Sequence, residues 1–201
     1  TLVEKCCHFF DLMHLAAGAR PVRVMASGGQ DVNHLDEVYE IDGREERPDI
    51  LDNAFVIVEF ANGVRGALDL CMFAEGARYQ EEIAAVGPLG KIECLVPGPG
   101  RFWPAHLGAA PVPQVVVSPR NPAGPRVLEV PVDPNLLAAG DHNGSTFYQH
   151  AGFAQVVAKG GVPDVTLQDG WWAVALGKAA QISAREGRVI GTAELRALGP
   201  Q

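Results

Sequence analysis

Two apolar runs, residues 54–61 (Ala-Phe-Val-Ile-Val-Glu-Phe-Ala) and 64–74, are separated only by Asn62-Gly63. Asn-Gly readily takes positive φ angles, so this spacing predicts two long antiparallel strands joined by a type I′ turn. Along the first run Ala54, Val56, Val58 and Phe60 point one way, and Phe55, Ile57 and Ala61 the other. Both faces are therefore largely apolar, unlike a sheet with one wet side. One face calls for helices. The other calls for a second copy or another domain, or for residues 97–125 folding over it, because large exposed apolar patches usually mark contacts.

The rest of the chain supplies those helices and further strands. Leu2, Val3, Cys6, Phe9, Phe10, Met13, Ala16 and Ala17 form one stripe at 100° per residue, which predicts an amphipathic helix over 2–17 closed by Gly18. Residues 21–26 alternate as a strand, and the polar, acidic stretch 30–49 reads as a long loop. A second hairpin is expected over 79–86 and 91–96, with further strands at 114–118 and 126–132 and a Pro- and Gly-rich loop within 97–125. The helical period returns over 145–159 and 166–186, closed by Gly160-Gly161 and Gly187, with Asn143 or Ser145 as N-cap of the first of these helices. This order predicts an α+β fold: an open, mostly antiparallel β-sheet with helices packed on one face, formed by residues 1–201 as a single domain.

Composition narrows the function classes. With 201 residues, 47% of them hydrophobic and 20% charged, the chain can bury a continuous core. No run reaches the roughly 18–20 apolar residues that a membrane-spanning helix needs. A net charge of −8 without Lys/Arg clusters argues against nucleic acid or an anionic membrane as partner. Cys6, Cys7, Cys71 and Cys94 form no disulfide pattern, which fits a reducing cytoplasm. The start at Thr1 has no signal-peptide pattern and enters a helix at once, as a segment of a longer protein would.

The sequence contains no P-loop, nucleophile elbow, His-Glu-x-x-His or Cys-x-x-Cys. Cys6-Cys7-His8 are consecutive and project about 100° apart on a helix, so they cannot close a tetrahedral shell, and no metal site is expected. Glu4, His8 and Asp11, at i, i+4 and i+7, lie within about 60° of one another opposite the apolar stripe. Flanking carboxylates would steady an imidazole suited to proton transfer near neutral pH. A solvated polar helix face would show the same spacing, and spacing alone leaves both readings open. Asn33 and His34 after the first strand, Glu75 beyond the hairpin, and His142 and Tyr148 beside the penultimate helix are candidate substrate contacts, because ligand groups often come from loops at element ends.

Glu4-Lys5-Cys6-Cys7-His8-Phe9-Phe10-Asp11-Leu12, Asp52 to Gly63 with Leu68-Asp69-Leu70-Cys71-Met72-Phe73, His142-Asn143-Gly144-Ser145, and Asp169-Gly170 to Glu186-Gly187-Arg188 occur in this order. Together they resemble the C-terminal domain of the Gfo/Idh/MocA oxidoreductases, the family of glucose-fructose oxidoreductase and inositol dehydrogenase. The resemblance implies a glyceraldehyde-3-phosphate dehydrogenase-like C-terminal domain whose sheet serves homodimer or tetramer contacts. It also implies an N-terminal Rossmann domain, absent from this chain, that binds NAD or NADP. By position it makes His8 the acid/base for a sugar or polyol hydroxyl, Glu4 (where the family more often has Asp) its partner, and Asp11 a group that fixes the ring or the substrate. The expected function is that of the substrate and oligomerisation domain of an NAD(P)-dependent oxidoreductase, inert without its other half. The alternative is a non-catalytic dimerisation or saccharide-binding module of the same fold.

Overall fold

The computed structural model describes residues 1–198. In chain order the elements are α1 (Cys7–Ala17), β1 (Pro21–Gly29), β2 (Tyr39–Ile41), β3 (Arg44–Glu46), β4 (Asn53–Phe60), β5 (Arg65–Cys71), β6 (Glu81–Gly87), β7 (Gly90–Val96), β8 (Gln114–Pro119), β9 (Arg126–Glu129), α2 (Pro134–Ala139), α3 (Ser145–Lys159), α4 (Leu167–Glu186), β10 (Ile190–Gly191) and α5 (Thr192–Ala197). The fold is α+β with antiparallel strands, as expected. The strands divide between two four-stranded sheets, in the orders β10-β1-β4-β5 and β6-β7-β8-β9, with β2 and β3 as a separate ribbon. The chain forms two compact units, residues 1–73 with the segment from Val165 onward, and residues 74–164.

The first unit holds the buried core. In β4 the side chains of Ala54, Val56, Val58 and Phe60 are buried, while Phe55 remains 64% and Ile57 43% exposed. The strand alternation thus sorts the two faces as its period of two requires. On the inner face Val24 joins these residues, and they pack with Leu2, Cys6 and Phe10 from the start of the chain and with Ala173, Leu176, Ala179 and Ala180 of α4. α4 lies against β1, and α1 lies against α4 and β5. The small residues of α4 permit a close approach: a Cβ on Gly177 would come within 2.7 Å of the Leu2 carbonyl oxygen.

The central hairpin forms with a different turn from the one predicted. Glu59 pairs with Arg65, and Phe60 N–H donates to the Val64 carbonyl at 2.9 Å, which leaves Ala61-Asn62-Gly63 as a three-residue loop. Gly63 alone takes a positive φ, 84°, the geometry of a turn followed by a bulge rather than type I′. The reason is tertiary: the Asn62 amide donates to the Ala17 carbonyl at 2.8 Å at the end of α1, and its Oδ1 accepts from Val64 N–H. Residues 30–49, expected as loop, contain the β2–β3 ribbon. α1 begins at Cys7, and the residues before it form a separate turn in which Lys5 N–H donates to Thr1 O at 2.8 Å.

The second unit is β6–β9 with α2 and α3. Pro88 and Leu89 link the Gly87–Gly90 pair in a two-residue turn, and β8 and β9 extend the sheet antiparallel. Only Pro97 and Gly144 are buried among residues 74–164. The N-cap of α3 is Gly144, without a side-chain cap, and not Asn143 or Ser145. His142, Asn143 and Gly144 all take left-handed φ values (65°, 52° and 83°), so the Asn143 side chain does not reach the helix start and donates instead toward Pro97 O at 3.4 Å. α4, by contrast, starts on a full capping box between Thr166 and Asp169.

Candidate active site

His8 is exposed on the first turn of α1, while Cys6 and Phe10 on either side of it are fully buried. Burial pushes the Cys6 thiol up to about 11, so Cys6 acts as a packing residue and not as a nucleophile. Asp11 lies on the same helix and is half-buried, and Glu4 is exposed on the separate turn that precedes it. No hydrogen bond or ion pair joins Glu4, His8 and Asp11 among the described residues. Cys7 Sγ donates to the Glu4 carbonyl at 3.4 Å. Among the described residues no group of three His, Cys, Asp or Glu side chains is arranged to hold a metal ion.

The loop after β1 is the most fully built polar structure in the first unit. Asp52, wholly buried, accepts from the backbone N–H groups of Asp31 (3.0 Å), Val32 (2.8 Å) and Asn33 (2.7 Å) and from the Asn53 amide (3.0 Å). Burial by itself would raise the Asp52 pKa, but the donors of Asn33, Val32, Asp31 and Asn53 outweigh it and bring the carboxyl down to about 2. Asn33, a predicted substrate contact, donates its side-chain amide to the Met72 carbonyl at 2.8 Å, so it ties the loop to the end of β5. Gln30 donates to the Asn33 carbonyl at 2.8 Å.

His34 follows at φ 60°, a conformation uncommon for a residue other than glycine. Its Nδ1 lies 2.7 Å from Glu37 Oε1, and the Tyr39 hydroxyl donates to Glu37 Oε2. The hydrogen bonds from Tyr39 and then His34 hold the Glu37 carboxyl below its ordinary value, and Glu37 in turn raises the Tyr39 phenol. Sequence reasoning missed Asp52, Glu37 and Tyr39. The Asp52-Asn53 pair ahead of an apolar strand was the only signal for Asp52, and nothing in its spacing points to amides some twenty residues earlier.

Glu75, His142 and Tyr148 belong to the second unit, and the structure leaves all three exposed. Glu75 lies just beyond β5. Tyr148 on α3 stands edge-on to Phe147, with ring centroids 5.5 Å apart. His142 lines a cavity of about 640 Å³ walled by Pro97, Pro99, Pro111, Val112 and Leu137. Its polar side carries Asn143 and the forked Arg101–Asp141 ion pair, whose second bond is 2.7 Å. The guanidinium holds the Asp141 carboxyl below its usual range.

Residues 1–97 match the family model described as oxidoreductase family, C-terminal alpha/beta domain. Over these residues the match agrees with the Gfo/Idh/MocA resemblance that the motifs carry. Among solved structures, the chain is similar to an oxidoreductase from Agrobacterium radiobacter in complex with NAD+, L-tartaric acid and magnesium (18% identity over 98% of this chain and 50% of that one, TM-score 0.67). Levoglucosan dehydrogenase, in complex with NADH and L-sorbose, aligns at 18% identity over 97% of this chain and 51% of that one, with a TM-score of 0.67. Aldose-aldose oxidoreductase from Caulobacter crescentus, complexed with glycerol, aligns at 18% identity over 92% and 45%, with a TM-score of 0.60. The chain spans about half the length of these structures. No curated protein matches it. Among the described residues no helix is long and apolar enough to cross a membrane.

Proposed function

We propose that residues 1–201 act as the substrate and oligomerisation domain of an NAD(P)-dependent oxidoreductase working on a sugar or polyol hydroxyl. In this reading hydride passes to or from a nicotinamide, NAD or NADP, bound mainly by a separate dinucleotide domain, and His8 moves the hydroxyl proton. The observation that carries the reading is that α1 buries Phe10 and Ala17, with Cys6 buried just ahead of it, while leaving His8 exposed at the family's histidine position. The helix is anchored by its apolar face, and its imidazole remains available to a ligand. Glu4 and Asp11 flank the ring and orient it once a substrate closes the site.

Asn33, His34, Glu75, His142 and Tyr148 are the proposed substrate contacts, with Asn33 acting through its hold on the loop. The outer face of the first sheet, where Met25, Phe55 and Ile57 stay 43–64% exposed, is the proposed homodimer or tetramer surface. The setting is cytoplasmic, with four free cysteines. The test is turnover: the 201-residue chain alone reduces neither NAD+ nor NADP+ with a panel of aldoses and polyols, whereas the chain joined to a nicotinamide-binding domain does. Turnover by the isolated chain would overturn the division of labour. Failure of the joined enzyme on every hydroxyl substrate, with saccharide binding intact, would favour the non-catalytic module, a reading to which the unpaired His8 ring also lends weight.

A further inference from the structure

We infer that Glu37 and Tyr39 are positioning residues that hold His34 in a single tautomer, turning its Nε2 into a fixed acceptor for a ligand hydroxyl. The inference starts from the loop and not from the helix that carries His8. Asp52 gathers three consecutive backbone N–H groups immediately before His34, and Asn33 and Gln30 tie the same loop to Met72 and to itself. The loop therefore delivers His34 in one place, at a left-handed φ that an unsupported histidine rarely keeps.

Glu37 Oε1 sits 2.7 Å from Nδ1 of that ring, and a carboxylate only accepts, so the neutral imidazole carries its proton on Nδ1. Glu37 itself cannot swing away freely: its second oxygen takes the Tyr39 hydroxyl, and Tyr39 is fixed by the β2–β3 ribbon, where it pairs with Glu46. Glu37 N–H also leans toward the His34 carbonyl at 3.4 Å. The ring is thus oriented by a carboxylate that is itself oriented by a phenol. With Nδ1 used, Nε2 of the half-exposed ring offers one lone pair, and it takes a hydrogen bond from a neutral donor such as a sugar or polyol hydroxyl. This last step rests on the polyol reading above; the tautomer does not.

The experiment is histidine-selective 15N NMR of the 201-residue chain at pH 8, with resonances assigned through single His substitutions. His34 should show a protonated Nδ1 and an unprotonated Nε2, and Glu37→Leu should return it toward the Nε2-protonated form of free imidazole while the His8 and His14 signals stay in place, confirming an intact fold. A wild-type His34 protonated on Nε2, or a tautomer that Glu37→Leu leaves unchanged, would overturn the inference. Sorbitol is then titrated in. Movement of the His34 Nε2 resonance in the wild type but not in Glu37→Leu supports the hydroxyl-accepting role. Movement of His8 alone overturns that role and leaves the polyol reading standing. Movement of neither ring overturns both.

Discussion

Ser183 on α4 and Ala26 on β1 are joined by a buried hydrogen bond: the Ala26 N–H donates to Ser183 Oγ at 2.9 Å, and the same hydroxyl donates onward to the Arg188 carbonyl at 2.6 Å. Ser183 is fully buried, and through it α4 accepts from a backbone amide of β1. Ser183→Ala would strand both partners, and leaving a buried donor unsatisfied costs about 1–3 kcal/mol. In a domain of this size, that corresponds to a fall of several degrees in the midpoint of thermal unfolding, measurable by circular dichroism. An unchanged midpoint would show that water replaces the hydroxyl at no cost.

The α1–α4 approach makes a second prediction. A methyl group at position 177 would meet the Leu2 carbonyl oxygen at 2.7 Å and the Val3 Cα at 2.8 Å, both backbone atoms that move only with the whole turn. Gly177→Ala gains about 1 kcal/mol in helix propensity, against overpacking of about 1–3 kcal/mol. The expected result is a net loss of up to about 2 kcal/mol, larger for Gly177→Val, read from urea denaturation. A stabilised Gly177→Ala protein would show that the turn before α1 yields freely.

Asp52 fixes the acid limb of stability. Its folded pKa lies below its ordinary value of 3.8, at about 2, so its contribution is complete above the ordinary value and is lost as pH falls toward the folded one. Unfolding midpoints of the wild type should therefore decline between about pH 4 and pH 2 more steeply than those of Asp52→Asn, which lacks the titrating group. Asp52→Asn should also be less stable at pH 7, because an amide replaces one of the two acceptor oxygens with a donor facing donors. Parallel pH curves for the two proteins would refute this account.

For chemistry, His8→Ala in the enzyme joined to its nicotinamide-binding domain should lower kcat by about 10²–10⁴, the range for loss of a general acid or base. The fold should be unaffected, since the side chain is exposed. Retention of full kcat would remove His8 from the mechanism.

Tyr39→Phe removes the strongest influence on Glu37. The carboxyl 13C titration of Glu37 should move to higher pH in this variant, with the remaining His34 contact still holding it below the ordinary glutamate value.

What could be read in the sequence was whatever depends on neighbours along the chain. The α3 and α4 spans, the in-out alternation of β4 and the hairpins at Asn62-Gly63 and Gly87–Gly90 are set by local period and turn chemistry, and they form where expected. The Asn62-Gly63 turn type was not readable, because the Asn62 amide answers to Ala17, 45 residues earlier. His14 likewise lacks a partner at helical spacing yet lies 3.8 Å from Asp169 at the start of α4. At the candidate site, the exposure of His8 follows from its place on the polar face of a patterned helix. Asp52 and Glu37 could not, because their roles arise from backbone amides and rings brought together by the loop after β1.

The enclosed side chains belong to the first unit, and residues 74–164 surrender almost nothing to the interior. A replacement on β6–β9 or α3 therefore meets water more often than a tightly fitted neighbour, and most such changes cost the chain little. Side chains around His142 can therefore be exchanged at little cost to the fold, whereas those beneath α1 are held by their own crowding.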